Sequence, residues 1–263
     1  MAYGSIRKLV GTLCGDVQYH LPIGEDSLEL NSRVGKPIRL EYQGEIRCIE
    51  CDRKTRKSFN QGFCFPCSTR LACCDLCIVR PELCHFAKGT CREPAWGEAN
   101  CMIPHTVYLS NTSGLKVGIT RKVPSRWIDQ GAIQALEVLK VDDRLSSGLV
   151  ETTLSKWIGD KTNWRKMLKG DVELRDLEAV RDDLLGRLED FPQIVGLARR
   201  VEDARVVTLK YPVLEYPKKI ISHNLEKTPV VEGTLLGIKG QYLILDTGVL
   251  NIRKYTGYFL RVD

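Results

Sequence analysis

The sequence predicts an α+β fold in which a cysteine-rich zinc module precedes a domain of mixed helices and strands. Three observations lead to this prediction. Nine of the eleven cysteines lie between Cys48 and Cys91. Short alternating segments separated by turn residues occupy both ends of the chain, as is typical of β-structure. Residues 171–190 instead carry apolar side chains at helical spacing against a charged face.

Composition limits the class of protein. A chain of 263 residues with 43% hydrophobic and 27% charged residues is globular, and it is long enough for two or three units. It has no apolar run of about 20 residues, the length that spans a bilayer, and its first ten residues lack a signal-peptide pattern. We therefore expect a cytoplasmic protein with reduced cysteines and no membrane partner. The net charge of +6 permits a polyanionic partner without requiring one.

Five units are expected along the chain. They are an N-terminal β region (1–47), the cysteine-rich zinc module (48–101), a mixed domain (102–170), a helical connector (171–204) and a C-terminal β region (205–263). Loose alternation predicts terminal strands, and these strands are expected to form one small barrel-like unit. The predicted strands are 5–12, 37–42, 205–209, 231–238, 241–245 and 257–262.

The mixed domain begins with two predicted strands, 106–109 and 115–119, which are separated by a strong turn signal at 110–114. A short helix follows at 124–130, with proline in its first turn and glycine just past its end. The pattern then predicts a strand at 133–141 and a helix at 146–158. Two further helices are expected at 171–190 and 193–203.

The cysteine spacing predicts a structural zinc site. Cys48-Ile-Glu-Cys51 and Cys64-Phe-Pro-Cys67 are two Cys-x-x-Cys pairs. Two residues between thiolates let both sulfurs reach one tetrahedral ion, and two such pairs complete four ligands. Iron–sulfur binding is an alternative, since thiolates suit it as well.

A second zinc site is also expected, on weaker spacing. Cys74-Asp-Leu-Cys77 supplies another pair, and Cys84 and Cys91 follow it. Cys73, His85, Cys101 and His105 are further candidate ligands. Cys14 and at least one of these thiols are expected to be buried without a metal.

The mixed domain carries a resemblance to a known superfamily. Val107-Tyr108-Leu109 and Lys116-Val117-Gly118-Ile119-Thr120 look like the two strand motifs of the GIY-YIG nucleases. Arg126, Glu151 and Asn163 follow in the order of that family's arginine, metal-binding glutamate and asparagine. Across its length the chain also resembles an uncharacterised bacterial family that joins a cysteine cluster to such motifs.

The superfamily resemblance implies a Mg²⁺- or Mn²⁺-dependent endonuclease. By analogy, Tyr108 would act as the base or position the water, and Glu151 would hold the Mg²⁺. Arg126 would clamp the phosphate, and Asn163 would orient the site. Lys116 stands where the family has its second tyrosine, and Thr106 where it has a glycine, which weakens the prediction of activity.

The implied partner is nucleic acid, with DNA favoured over RNA. Basic residues flank the expected site, namely Arg121, Lys122, Lys161, Arg165 and Lys166. Two alternatives remain open at this stage. One is a nucleic-acid-binding protein that kept the fold without catalysis, and the other is a zinc-stabilised scaffold that binds protein.

Overall fold

The structure is a computed structural model that describes residues 1–263. Its strands are β1 Ala2–Ser5, β2 Val10–Cys14, β3 Asp16–Ile23, β4 Asp26–Glu29, β5 Pro37–Arg47, β6 Lys54–Thr55, β7 His105–Asn111, β8 Leu115–Thr120, β9 Gln134–Val141, β10 Ala198–Arg200, β11 Val207–Thr208, β12 Val230–Lys239, β13 Tyr242–Leu245, β14 Gly248–Asn251 and β15 Tyr258–Val262. Its α-helices are α1 Phe65–Arg70, α2 Pro94–Asn100, α3 Ser125–Asp129, α4 Arg144–Leu154, α5 Trp164–Lys169, α6 Leu177–Leu188 and α7 Pro192–Val195. Helices hold 27% of the residues and strands 33%, so neither class dominates and the expected mixed fold is confirmed.

Strands from the two ends of the chain share one sheet. Its order is β1-β15-β5-β12-β13-β14, all antiparallel, with β6 paired to β5. The sheet is open, with β1 and β14 at its edges, so the terminal strands do not close into a barrel. A separate three-stranded sheet, β2-β3-β4, contributes side chains to the same 29-residue hydrophobic core.

A second sheet supports the mixed domain. Its order is β10-β9-β7-β8, with β11 also paired to β9. Every residue of β7 is buried, because β8 and β9 flank it and helices cover it. A cluster of eleven buried aliphatic side chains joins this sheet to α4, α6 and α7.

Two predicted helices are shorter than their patterns suggest. Helix α6 begins at Leu177, because the Asp176 side chain accepts the backbone N–H of Ala179 and caps it. The preceding residues bind β7 and β9 instead: Asn111 donates to the Glu173 carbonyl at 2.7 Å, and the side chain of Gln134 hydrogen-bonds to the Arg175 backbone. Helix α7 ends at Val195, and residues 198–200 form strand β10, so the helix predicted at 193–203 is wrong from residue 196 onward.

The cysteine-rich segment contains little regular structure. Between α1 and α2 the backbone forms only short 3₁₀ turns. Helix α4 packs against one of these turns so closely that a Cβ on Gly148 would lie 2.2 Å from the Glu82 nitrogen. The module is therefore tightly packed on the helix that carries Glu151. None of the helices has the length and apolar composition needed to cross a membrane.

Candidate active site and metal centre

Four cysteines converge as the sequence predicts. The Sγ atoms of Cys48, Cys51, Cys64 and Cys67 lie within 4.8 Å of one another. Those of Cys51 and Cys64 are 3.8 Å apart, which is close to the sulfur–sulfur distance of about 3.8 Å that tetrahedral Zn–S bonds of about 2.3 Å produce. These four residues are positioned to bind zinc, and the predicted four-cysteine cluster is confirmed.

Local backbone geometry explains how each pair turns towards the ion. The first pair sits in a tight turn that closes with Asp52 in the left-handed region, at φ 57°. Before the second pair, Gly62 adopts φ 132° and packs against Ile49, where any Cβ would lie 2.8 Å from the Ile49 side chain. Cys64 then precedes helix α1, and Cys67 lies in its first turn. The two turns therefore face each other around one point.

The environment of the four thiols favours metal binding. Burial alone would raise the pKa of Cys48, but hydrogen bonds from backbone N–H groups outweigh it and lower that pKa to about 6. Burial and the neighbouring thiols raise the pKa of Cys67. Four thiolates this close repel one another unless a cation lies among them, and zinc would supply that cation.

The remaining cysteines separate into two places. Cys74 lies beside Cys73, with their sulfurs 4.0 Å apart, next to the hydrophobic cluster of the first metal centre. Cys77, Cys84 and Cys91 line a different, small pocket, together with Cys101 rather than Cys74. His85 also lines this pocket, and its ring lies within 4.8 Å of the ligand atoms of Asp75 and Cys77.

A separate cleft of about 490 Å³ brings together four of the five residues expected to be catalytic. Tyr108 comes from β7, Lys116 from β8, Arg126 from α3 and Glu151 from α4. The cysteine module and the C-terminal β region complete its walls. We call this space the cleft; its remaining lining residues are Gln61, Ile78, Val79, Pro81, His105, Gly118, Ile119, Thr120, Arg121, Gln130, Arg144, Asp160 and Arg253.

Tyr108 is fixed in place within the cleft. Its hydroxyl donates to the Gln130 side chain at 2.9 Å, and its ring packs edge-on against Trp127. Gly118 lies directly opposite across the β7–β8 ladder, and a Cβ there would come within 2.6 Å of the Tyr108 hydroxyl. Burial raises the pKa of Tyr108 to about 12, so the phenol stays protonated at neutral pH.

The pKa of Lys116 is lowered and that of Glu151 is raised, so the two values approach each other. Burial, with a smaller contribution from the charge of Arg126, lowers the pKa of Lys116 to about 8. Burial also raises the pKa of Glu151 to about 7, although the charge of Lys116 opposes that shift. An acid and a base whose pKa values lie near neutrality in one cleft are typical of functional sites.

The cleft holds more positive than negative charge. Its five cations are Lys116, Arg121, Arg126, Arg144 and Arg253, whereas its carboxylates are Glu151 and Asp160. None of the five cations forms an ion pair with a carboxylate, although seventeen such pairs occur elsewhere in the chain. A concave site with unpaired arginines is suited to anions, since guanidinium groups match phosphate oxygens.

The comparisons with known proteins return one family. The model of a family described as "Protein of unknown function (DUF2797)" matches residues 35–260, which include the four-cysteine centre and all the cleft-lining residues. The chain belongs to the DUF2797 family. No curated protein and no solved structure matches it.

Within this DUF2797 chain, Asn163 does not reach the cleft. It is the N-cap of α5, where its side-chain oxygen accepts the backbone N–H of Lys166 at 3.2 Å. Its own backbone N–H donates to the Ser113 hydroxyl at 2.8 Å. Of the residues expected to bind nucleic acid, Arg121 lines the cleft, whereas Lys122, Lys161, Arg165 and Lys166 are exposed outside its lining.

Arg144, Arg253 and Asp160 were not predicted as site residues. Arg144 begins α4 and Arg253 belongs to the turn after β14, so each comes from a segment whose pattern shows only local structure. Asp160 follows α4, and its carbonyl accepts a hydrogen bond from Lys116 at 3.4 Å. Their one signal in the sequence was charge, which most often marks a solvated surface.

His105 adopts a defined orientation at the edge of the cleft. Its Nδ1 lies 2.7 Å from the Ile103 carbonyl, so Nδ1 carries the proton and donates it. Nε2 is buried without a hydrogen-bond partner, and burial lowers the pKa of His105 to about 4. At neutral pH the ring is therefore neutral, with a free lone pair on Nε2.

Proposed function

We propose that this protein is a metal-dependent endonuclease that hydrolyses phosphodiester bonds in nucleic acid, with a GIY-YIG-type site and DNA as the favoured substrate. One observation carries the proposal: Tyr108, Lys116, Arg126 and Glu151 line one cleft although they come from four separate elements. The order of these residues in the sequence is the order of the superfamily motifs. Their convergence supports a shared role over four independent structural ones.

The charge of the cleft supports a polyanionic substrate. Arg126 and Arg253 both line the cleft. The pKa of Arg253 is lowered, mainly by burial and to a smaller extent by the positive charge of Arg126. Two guanidinium groups that line one cleft and form no ion pair with a carboxylate are stabilised when an anion binds both. A phosphate of the nucleic-acid backbone fits this requirement.

Glu151 is suited to hold a divalent cation. It has no side-chain hydrogen bond or ion pair, lines the cleft beside Asp160, and has a raised pKa because burial disfavours its charge. A hard cation with carboxylate and phosphate oxygens as ligands matches this pair of acids. When bound, Mg²⁺ or Mn²⁺ would offset negative charge on the phosphate during hydrolysis.

The other residues have roles that follow from their protonation states. With its pKa raised to about 12, Tyr108 is suited to position the attacking water rather than to deprotonate it. His105 Nε2 has a free lone pair, but its pKa of about 4 makes it a weak base, so it would accept the proton only of a water that a bound metal ion has acidified. Lys116, protonated at pH 7, can return a proton to the leaving oxygen as the old P–O bond breaks.

The four-cysteine zinc centre has a structural role in this proposal. A site closed by four thiolates has no free position for water or phosphate. Gln61, which lies between the two cysteine pairs, contacts Arg253 through a short side-chain hydrogen bond and lines the cleft. The zinc centre would thereby hold one wall of the substrate site.

Cleavage assays with a matched carboxylate control test the proposal. Wild-type protein is incubated with Mg²⁺ or Mn²⁺ and with single-stranded, duplex, branched and lesion-bearing DNA and RNA. Glu151→Gln should lower the cleavage rate by a factor on the order of 10²–10⁴, as expected for loss of a metal ligand. Glu189→Gln, an exposed glutamate after α6, should cleave at the wild-type rate.

Binding without cleavage is the second candidate function. Its supporting observation is that Asn163, the expected orienting residue, is used as the cap of α5 and does not line the cleft. If wild-type protein cuts none of these substrates, yet binds them with an affinity that falls steeply with salt, this reading replaces the first. If it shows no salt-dependent binding either, both give way to a protein-binding scaffold.

A further inference from the structure

Four cysteines outside the first metal centre surround one small pocket. The pocket is lined by Cys77, Cys84, Cys91 and Cys101, and its volume is about 10 Å³, enough for a single ion. Cys77 and Cys101 are buried, and the other two are half-buried. Cys74, which shares a Cys-x-x-Cys pair with Cys77, does not line it.

Local structure places these four cysteines around the pocket, but no three of their sulfurs lie within 4.8 Å of one another, so the sulfurs must close in when an ion binds. Cys101 directly follows α2, and its backbone N–H bonds to Gly97 within that helix. Gly97 lies against the pocket, where any Cβ would be 3.1 Å from the Cys91 sulfur and 2.7 Å from the Phe86 ring. The absence of a side chain at Gly97 is therefore what lets the Cys91 thiol approach α2.

A buried arginine beside the pocket lacks a negative partner. Arg144 is only 8% exposed, and its guanidinium donates to the backbone carbonyls of Cys77 at 2.9 Å and Ile78 at 2.6 Å. It forms no ion pair with any carboxylate, and a buried cation without a counter-charge is costly. Zinc bound by four thiolates carries a net charge of about −2, which would offset the charge of Arg144.

We propose that Cys77, Cys84, Cys91 and Cys101 bind a second structural zinc ion through their thiolates. This site differs from the first in its position, because it lies between α2 and the N-terminus of α4. The residues that follow Cys77, namely Ile78, Val79 and Pro81, line the cleft. The second zinc therefore fixes the cleft wall that packs on α4 at Gly148.

Other donors in the pocket provide the competing ligand set. Asp75 and His85 also line it, and their ligand atoms lie within 4.8 Å of the Cys77 sulfur. Both already have partners, since Asp75 pairs with Arg92 at 2.7 Å and the His85 ring contacts the Thr90 hydroxyl at 2.8 Å. The four thiols have no such commitments beyond a weak contact from Cys91 to the Glu93 carbonyl.

Metal content measured on the full chain tests the proposal. Wild-type protein should contain two zinc ions per chain, and Cys84→Ser and Cys101→Ser should each contain one. Cys74→Ser, Cys14→Ser and His85→Ala should each retain two. One zinc in wild type, or two in Cys101→Ser, would overturn the proposal, as would loss of a zinc in His85→Ala.

X-ray absorption of the wild-type zinc protein keeps the test decisive if the serine variants fail to fold. Two zinc ions with only sulfur neighbours at about 2.3 Å would support the four-thiolate assignment. Nitrogen or oxygen in the average shell would overturn it in favour of His85 or Asp75. Iron and acid-labile sulfide in place of the second zinc would overturn it in favour of an iron–sulfur cluster.

Discussion

The cysteine module and the domain built on the second sheet, which we call the cleft domain, are stabilised in different ways. In the module, the hydrophobic cluster at the first metal centre contains four buried residues, three of which are the cysteines themselves. In the cleft domain, eleven buried aliphatic side chains pack between the second sheet and its helices. We therefore expect the module to depend on a bound metal for stability, whereas the cleft domain depends on the packing of non-polar side chains.

The difference also distinguishes a structural role of the module from a chemical role of the cleft domain. A zinc ion held by four thiolates of the module would have no open ligand position. The cleft domain instead has a packed interior, and the cations that line its cleft form no ion pair with a carboxylate. Such unpaired groups are destabilising in themselves, and they persist most often where they bind a ligand.

Removing the metal should have the largest effect, and it should be confined to the module. Structural zinc contributes on the order of 10 kcal/mol to the folding of small domains. After treatment with a strong chelator, amide hydrogens in residues 48–101 should exchange rapidly, while those of β7 and β9 stay protected. Hydrogen exchange followed by mass spectrometry measures both regions in one sample.

The same measurement on Cys14→Ser provides the control. Cys14 is exposed and far from the cysteine-rich segment in sequence, so its loss should change neither region. If chelation released β7 and β9 together with the module, the two regions would be one cooperative unit and the comparison would fail.

Truncation of a core side chain in the cleft domain should destabilise that domain and leave the zinc of the module in place, the reverse of metal removal. Leu109 is 1% exposed in the centre of β7, and Leu109→Ala should lower the free energy of unfolding by about 2–5 kcal/mol. Its zinc content should remain that of wild type. Chemical denaturation and metal analysis measure the two quantities, and Leu174→Ala, at an exposed leucine, should change stability by less than about 0.5 kcal/mol. Loss of zinc in Leu109→Ala would show that the packing of the two regions is coupled.

The metal centre was predictable from the sequence because its ligands are close along the chain. Two residues between cysteines in a turn leave few other geometries, so Cys48, Cys51, Cys64 and Cys67 are confirmed as a cluster. The second set shows the limit of this reasoning. Spacing favours Cys74 as the partner of Cys77, but the backbone turn after α1 directs Cys74 towards the first centre.

The strands at each end of the chain could be recognised from the sequence. Their pairing could be predicted only in part. Alternation identifies strands such as β5 and β12, whereas nothing local specifies that β5 lies between β15 and β12. The cleft residues Arg144 and Arg253 were missed for the same reason, since tertiary packing alone brings them to the site. The helix predicted at 193–203 was wrong from residue 196 onward, because residues 198–200 pair with β9 as strand β10 and tertiary pairing overrides local helical propensity.

Gly118→Ala should disturb the cleft and leave the module intact. The added methyl group would lie 2.6 Å from the hydroxyl of Tyr108, so the ring or the strand must shift. We expect a loss of about 1–3 kcal/mol in stability, typical of overpacking, and a larger loss of cleavage or binding than of zinc. Thermal denaturation, metal analysis and the cleavage assay measure these effects.

Gly186→Ala is the matched control for that variant. A Cβ at Gly186 meets no atom within 4 Å, and the residue lies inside α6. Alanine favours helix by up to about 1 kcal/mol over glycine, so this variant should be as stable as wild type or more so. If Gly118→Ala cleaved or bound nucleic acid like wild type, the proposed role of Tyr108 in positioning the attacking water would be contradicted.

Asn163→Ala should have the smallest effect, and it separates the family role of this residue from its observed one. As the N-cap of α5, Asn163 should contribute about 0.5–2 kcal/mol, which corresponds to a few degrees in Tm. Asn163→Asp keeps an oxygen that can accept the Lys166 N–H and should keep that stability. Because the side chain does not line the cleft, both variants should cleave and bind nucleic acid like wild type once folded. If both variants lost cleavage while Asn163→Asp kept its Tm, Asn163 would act in the cleft, and α5 would have to move towards the substrate for it to do so.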